Sequence, residues 1–445
     1  MIKVITYGTF DLLHYGHIRL LERAKALGDY LIVGVTADGF DQARGKINVQ
    51  QSLMERIEAI KATGLADEIV IEEYEGQKID DIRRLGVDIF TVGSDWVGHF
   101  DYLNEFCKVI YLDRTQGVSS SDLRAEKRDL RIGLVGESAI LNKFASECHY
   151  VNGITITGIC TQNDSDLSQA LKSLPLVTDY LDKLLGACDA VYVASHPTKH
   201  YEQIKKALLA GKHVLCESPI TISLSDYQEL SQIAQDKKLQ LEDSLKTAYS
   251  TAYNRMLLLV KSGVIGEVKS VDTTCTSLSD LEKKEGEPTP FTWNSICAWG
   301  PLAMLPVFQL LGTNYVSRQM TSHLIADHFD TFTKIDFVYP HAVASMKVGK
   351  GVKSEGELII SGTKGYIYVP APWWKTDYFE VRFENPANNK RYFYQLDGEG
   401  IRYEIVSFVR AIQANRNNSY ISQEISQNII RIVQDFENKK DLIQI

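Results

Sequence analysis

Two histidines three residues apart, His14 and His17, stand in the string Thr6-Tyr7-Gly8-Thr9-Phe10-Asp11-Leu12-Leu13-His14-Tyr15-Gly16-His17. On the first turn of a helix, that spacing puts both imidazoles on one face. A helix N-terminus carries unpaired N–H groups and partial positive charge, which makes it a seat for phosphate. Imidazoles there can donate hydrogen bonds to phosphoryl oxygens as charge develops in a transition state. Gly8 and Gly16 would let backbone approach a nucleotide closely. A lone pair of this kind reads more simply as one capping ring and one packed ring, so the weight falls on what surrounds it.

The pair needs a strand before it and a helix after it. Residues 4–6 form a β-branched apolar run that Gly8 ends, and Ile18, Leu20, Leu21, Ala24 and Leu27 recur at helical spacing. Further strands are expected at 30–35, 68–71, 89–92 and 109–112, with helices at 20–27, 53–63, 79–85 and 102–106. Such alternation predicts an α/β fold with a doubly wound parallel sheet. Ligands bind beyond the carboxyl ends of its strands. His14, Asp38, Asp95 and Arg114 all follow strands and could converge on one crevice. Arg44 and Lys46 lie in a polar loop able to close over phosphates. Arg114 can bind two phosphate oxygens at once, and hydroxyls follow it at Thr115, Ser119, Ser120 and Ser121. One of those hydroxyls is expected to cap a helix.

The string from Gly8 to His17 resembles the signature of the cytidylyltransferase branch of the nucleotidyltransferases, the glycerol-3-phosphate cytidylyltransferase family in particular. The likeness covers residues 1–129. It includes Arg114-Thr115-Gln116-Gly117-Val118-Ser119-Ser120-Ser121, similar to that family's second signature. The resemblance implies catalytic roles for His14, His17 and Arg114. It implies nucleotide or phosphate contacts for Tyr7, Gly8, Thr9, Phe10, Asp11, Gly16, Arg44, Lys46, Asp95, Thr115, Gly117, Ser119 and Ser120, with Mg²⁺ bridging phosphates. Two departures stand out. Arg44 replaces a family lysine, which keeps the charge but not the geometry. Gly64-Leu65-Ala66-Asp67 lacks the arginine that the family carries before its third strand, which puts the acceptor's identity in question.

The chain has 445 residues, enough for two or three domains, and a net charge of −9. That charge argues against nucleic acid as the main partner. The seven cysteines are scattered without a C-x-x-C pair, so neither a metal site nor a disulfide framework is indicated. There is no membrane-length apolar run and no signal peptide at the start, so a cytoplasmic protein is expected.

From Arg131 a second alternating stretch begins, with strands expected at 131–135, 154–160, 190–194, 213–216 and 240–243. After residue 247 come a helix at 252–262 and strands at 268–276, 332–339, 342–348, 357–361, 366–369, 378–383 and 391–394. These predict an open, largely antiparallel sheet with helices on one face, closed by helices at 401–415 and 423–438. This half resembles the Gfo/Idh/MocA family of NAD(P)-dependent oxidoreductases through Asp189-Ala190-Val191-Tyr192-Val193-Ala194-Ser195, Ala210-Gly211-Lys212-His213-Val214, Gly263-Val264-Ile265-Gly266-Glu267 and Ser361-Gly362-Thr363-Lys364-Gly365. The implied divisions are 1–129, a nucleotide-binding domain at 130–246, and an α+β domain at 247–445. The resemblance implies NAD(P) and a sheet-mediated homodimer or dimer of dimers.

The chemistry departs from that family. Its catalytic lysine is Ser218 here, and its Asp and His positions are Met304 and Phe308. None of these can exchange a proton as the originals do. The dinucleotide turn keeps Gly136 but has Ser138 where a second glycine admits the pyrophosphate. The reading is therefore a cytidylyltransferase joining CTP and a small phosphorylated alcohol into a CDP-alcohol for cell-surface polymers, with a non-catalytic scaffold behind it. The alternatives are a bifunctional enzyme with replacement residues among His196, Lys199, His200 and Lys246, and a sugar-phosphate adenylyltransferase.

Overall fold

In the computed structural model, β1 (Lys3–Gly8), β2 (Tyr30–Thr36), β3 (Glu68–Glu72), β4 (Ile89–Gly93) and β5 (Lys108–Leu112) form a five-stranded sheet. Its order is β3-β2-β1-β4-β5, and every neighbouring pair is parallel. The described residues are all but 44, 45, 47, 48, 50, 75, 114–128, 164, 166, 279–292, 327, 328, 395 and 416–418. Two units divide the chain: Met1–Asp129 with Val151–Gly153, and Leu130–Tyr150 with Ile154–Ile445.

Period-two alternation gives the first sheet two apolar faces. Val4, Leu31, Val33 and Val35 pack beneath α1 (Tyr15–Lys25), and Ile57 and Ile60 of a later helix join them. Ile5, Tyr7, Ile32 and Phe90 pack on the opposite face. A short helix that the sequence reading did not anticipate, α2 (Asp38–Ala43), follows β2. After it, α3 (Leu53–Ala62) starts on a reciprocal Ser52–Glu55 capping box, and α4 (Gln77–Leu85) carries Ile82 onto the second face. The helix expected at 102–106 is instead a 3₁₀ turn, Asp101–Glu105.

In the second unit, β6 (Leu130–Gly136), β7 (Ile154–Cys160), β8 (Val177–Thr178), β9 (Ala190–Ala194), β10 (His213–Glu217) and β11 (Leu241–Ser244) form a six-stranded sheet of order β11-β10-β9-β6-β7-β8. All of its pairs are parallel. A nine-stranded sheet follows: β12 (Val268–Thr276), β13 (Ser317–Ala326), β14 (Phe329–Val338), β15 (Val343–Gly349), β16 (Leu358–Gly362), β17 (Tyr366–Val369), β18 (Tyr378–Arg382), β19 (Lys390–Phe393) and β20 (Leu442–Gln444). It is antiparallel except at β12–β15 and β13–β20.

Val271, Met320, Ile335, Met346 and Ile360 share a core with the long helix Ser295–Leu311. Between them, the alternate residues of β12 and β15 bond to one another, with Ser270 and Ser345 each donating to Asp272 at 2.6 Å. Among the described residues no helix is long and apolar enough to cross a membrane.

Candidate active site

The site of the first unit lies where the chain leaves β1. Gly8 ends the strand, and a β-carbon there would stand 3.0 Å from the Phe10 ring. Phe10 and Leu12 both take left-handed backbone, with φ of 54° and 48°. Such conformations persist only when the surroundings fix them. Here Arg56 donates to Thr9 O at 2.6 Å, Gln51 N–H donates to Asp11 Oδ1 at 3.0 Å, and Leu12 N–H donates to Gln51 Oε1 at 2.7 Å.

His14 then caps α1. Its extended backbone opens the helix, and its Nδ1 accepts the Gly16 N–H at 3.1 Å. An accepting Nδ1 leaves the proton of a neutral ring on Nε2. His17 stacks on it with centroids 3.8 Å apart and planes 21° apart, while Phe10 meets His17 edge-on at 5.5 Å. The two rings therefore share one face of the first turn, each partly exposed.

A second cluster surrounds Thr9, which is 6 % exposed. Its hydroxyl donates to Asp41 at 2.6 Å and accepts from Lys46 Nζ at 2.6 Å. Arg56 is fully buried. It bonds Thr9 O, Thr36 O at 2.9 Å, Asp41 at 3.4 Å and Asp38. Lys46 is thus brought to the expected site, on Thr9. The sequence analysis did not foresee Arg56 and Asp41 as its scaffold. The signal was there, in two acids spaced Asp38–Asp41 just after a strand and an arginine in the first turn of α3.

Other expected residues sit elsewhere. Tyr7 turns into the opposite core and donates to Asp81 at 2.8 Å; burial first, and then Asp81, hold its phenol far above the ordinary value. Lys78, not foreseen, lies 4.8 Å over the Tyr7 ring and pairs with Glu72. Asp11 is buried and braces the loop. Gly16 spends its amide on His14. Asp95 is exposed in the turn Ser94–Trp96 after β4. Arg44, Arg114, Thr115, Gly117, Ser119 and Ser120 lie outside the described residues.

The second unit holds a cavity of about 1040 Å³ at the carboxyl ends of its parallel strands, lined by Glu137, Ser138, His196, Glu217, Ser218 and Lys246 among others. Gly136 has a φ of +128°, and a β-carbon there would come 2.4 Å from Ala194 O, so packing alone requires glycine. Ser138 Oγ accepts the Ile140 N–H at 3.4 Å, and Glu137 pairs with Lys199 at 3.4 Å. The turn thus presents a carboxylate, with a hydroxyl on a helix-opening amide, where a dinucleotide's phosphates would need free donors.

Ser218 is on the cavity wall, but Met304 and Phe308 are not. They are 0 % and 3 % exposed in the core, Phe308 edge-on to Phe337 at 6.0 Å. The long helix lines the cavity with Ala298, Trp299, Pro301 and Leu302, none of which is an acid or a base. Of the replacement candidates, His200 is fully buried with its ring nitrogens 2.9 Å from Pro219 O and Ser195 O, and burial pushes its pKa down to about 4. His196 caps the helix Pro197–Leu209, and burial, then Lys199, lower its pKa.

On the cavity wall, Ser244 Oγ lies 3.1 Å from Glu217 and 2.9 Å from the buried Glu404. One hydroxyl hydrogen cannot serve both carboxylates at once, so their closeness disfavours both being ionised. Burial, with Glu217 beside it, raises Glu404 well above the ordinary value.

A parallel sheet whose first strand delivers a paired-histidine helix terminus defines a nucleotidyltransferase-type unit. Residues 5–126 match the Cytidylyltransferase-like family, and the chain belongs to it. The glycerol-3-phosphate cytidylyltransferase of Bacillus spizizenii is 48 % identical over 130 residues, covering 29 % of this chain and 100 % of that protein. That of Staphylococcus aureus is 46 % identical over 130 residues, covering 28 % and 95 %. Residues 130–242 match the Gfo/Idh/MocA oxidoreductase family, NAD-binding Rossmann fold. A 3-ketoreductase from Actinomadura kijaniata, solved with TDP-benzene and NADP, superposes with a TM-score of 0.61 at 18 % identity, covering 72 % of this chain and 100 % of that one. That likeness establishes the fold of the second unit and nothing of its chemistry.

Proposed function

We propose that the chain transfers a cytidylyl group from CTP to a small phosphorylated alcohol, forming a CDP-alcohol and pyrophosphate for cell-surface polymer synthesis. The stacked pair of His14 and His17 on the first turn of α1 carries this reading. A phosphate oxygen of the acceptor attacks the α-phosphorus of CTP in line, a new P–O bond forms, and the bond to pyrophosphate breaks. No covalent enzyme intermediate is needed. The chain's contribution is to position the reactants and to donate to oxygens that gain charge. His14 Nε2–H and His17 face the α-phosphoryl group, and Lys46, held on Thr9, meets the phosphate tail. Arg114, Ser119 and Ser120 supply the remaining phosphate contacts in this reading.

Among the described residues no three His, Cys, Asp or Glu side chains are grouped to hold a metal ion. Mg²⁺ in this proposal arrives bound to the triphosphate, as that ion commonly does. The second unit, divided near residue 246, serves as a non-catalytic scaffold and dimer interface in a cytoplasmic enzyme. The test is a pyrophosphate-release assay crossing CTP, ATP, GTP and UTP against phosphorylated polyols, aminoalcohols and sugars. Strong preference for ATP with a sugar phosphate would replace the cytidylyl reading with an adenylyl one.

A further inference from the structure

The cavity of the second unit keeps a concentration of charge that its missing proton-transfer groups do not account for. Lys143 from the helix Ile140–Cys148, Lys246 just after β11 and Lys375 from the turn Trp373–Lys375 converge on Glu399. Lys143 and Lys375 reach its Oε1 at 2.9 Å, and Lys246 reaches its Oε2 at 2.6 Å. All four side chains line the cavity. Three ammonium groups thus crowd one carboxylate in a partly buried wall, although Glu217 and Glu404 also act on Lys246.

Glu399 arrives there on unusual backbone. Gly398, Glu399 and Gly400 have successive φ values of 56°, 56° and 92°. For a residue with a β-carbon the left-handed region costs free energy, and such residues gather at ligand sites and switches. The turn cannot relax by exchanging its glycines. A β-carbon on Gly398 would lie 2.1 Å from Glu147 Oε2, and one on Gly400 would lie 2.7 Å from Lys246 O. A fourth cation, Lys350, enters the wall just after β15 and donates to Trp293 O at 2.9 Å. Beside it, Trp299 and Trp374 stand 5.0 Å apart and tilted by 54°, both on the cavity wall. A largely apolar, aromatic wall with a few convergent charged groups is the make-up of a small-molecule site.

We propose that this cavity binds a small phosphomonoester with a polyhydroxylated carbon body, its phosphoryl group on Lys143, Lys246 and Lys375 and its carbon body against Trp299 and Trp374. Glu399 occupies the phosphoryl position until the ligand displaces it. A phosphomonoester dianion, with several acceptor oxygens on one group, suits three ammonium donors that converge on a single point. A dinucleotide matches less well, because Glu137 and the Ser138 hydroxyl stand at the turn its phosphates would use, while the cation cluster is built largely from other elements. This site is separate from the transferase reading and does not depend on it.

The test uses the full chain with Trp96→Phe, so that tryptophan fluorescence reports only on Trp293, Trp299, Trp373 and Trp374. Glycerol 3-phosphate and a hexose 6-phosphate are titrated, with glycerol and the free hexose as controls. A saturable change with the phosphorylated probes alone is expected. Lys246→Gln and Lys375→Gln, each checked for folding by circular dichroism, should weaken binding about ten- to hundredfold, the usual effect of losing a charged hydrogen bond. Glu399→Gln should tighten it several-fold, because the internal competitor is gone; a purely structural ion cluster predicts no gain. Unchanged or weaker binding in Glu399→Gln would overturn the proposal, as would a response to NADPH in place of the phosphomonoesters. Pyrophosphate release from CTP, measured on the same samples, reports separately on the first unit.

Discussion

Glu242 on β11 is 2 % exposed, and among the described residues neither of its carboxyl oxygens has a hydrogen-bond partner. Burial alone raises its pKa from 4.5 to about 7. At about 1.4 kcal/mol per pH unit, that gap is worth roughly 3 kcal/mol. A group whose folded pKa is raised contributes fully below its unfolded value, and the contribution is lost as pH rises through the folded value. The second unit should therefore be most stable in mild acid and lose roughly 3 kcal/mol on Glu242's account between about pH 5 and pH 8. Asp243 beside it, raised to about 6 by burial, acts in the same direction.

Glu242→Gln isolates the effect. The amide carries its own pH-independent cost as a buried group without a partner, about 1–3 kcal/mol. The quantity to read is thus the change with pH of the difference between variant and wild type. Thermal unfolding followed by tryptophan fluorescence suits this, since Trp293, Trp299, Trp373 and Trp374 all lie in the second unit. Relative to wild type, the variant should gain several degrees in Tm on going from about pH 5 to pH 8. An equal difference at both ends would show that Glu242 is solvated or paired in the folded protein, and the reasoning from burial would fail.

His17→Ala should leave the fold intact and lower kcat about 10²–10³-fold, as loss of a transition-state donor does; near-normal turnover with CTP would remove the histidine pair from the mechanism. Arg56→Met should destabilise the first unit by about 3–5 kcal/mol, because buried Asp41 loses the guanidinium it pairs with; urea unfolding reads this, and a loss under 1 kcal/mol would show that solvent reaches the site. Reduced nicotinamide should not be consumed with sugars, polyols or keto-polyol phosphates, and sustained oxidation of NADPH with any of them would make the chain bifunctional. The open nine-stranded sheet should pair two copies, so light scattering at micromolar concentration should give a dimer or larger, and a monomer refutes it.

What could be read from sequence divides along physical lines. Strands such as 154–160, 190–194 and 268–276 were legible because short β-branched runs bounded by polar residues admit little else. The helix Ser295–Leu311 was not, because it is apolar nearly all round and contains Pro301 and Pro306, so no amphipathic stripe marks it. β13 was missed for a related reason: Ser317–Ala326 mixes Arg318, Gln319 and His323 into its run, so its buried side, with Met320, carries little apolar signal. In the candidate site, the pair His14 and His17 was legible through the string that surrounds it. The struts Arg56, Asp41 and Gln51 did not, because their task depends on the left-handed loop at Phe10 and Leu12, which no periodicity encodes.

The second unit shows why motifs survive unequally. Gly136 remains glycine because Ala194 O leaves no room for a β-carbon, and Glu217 remains because Tyr192 and Ser244 hydrogen-bond to it. Both would be kept by a protein with no redox chemistry at all. Of the three positions that the resemblance ties to proton transfer, Ser218 stands on the cavity wall, whereas Met304 and Phe308 lie in the core away from it, where no acid or base could meet a ligand. Met304 and Phe308 gain apolar burial that an Asp and a His there could obtain only through hydrogen-bonded partners. The glycine at 136 is thus explained by packing alone, while the proposed phosphomonoester rests on the cations gathered at Glu399, a wall built apart from that turn.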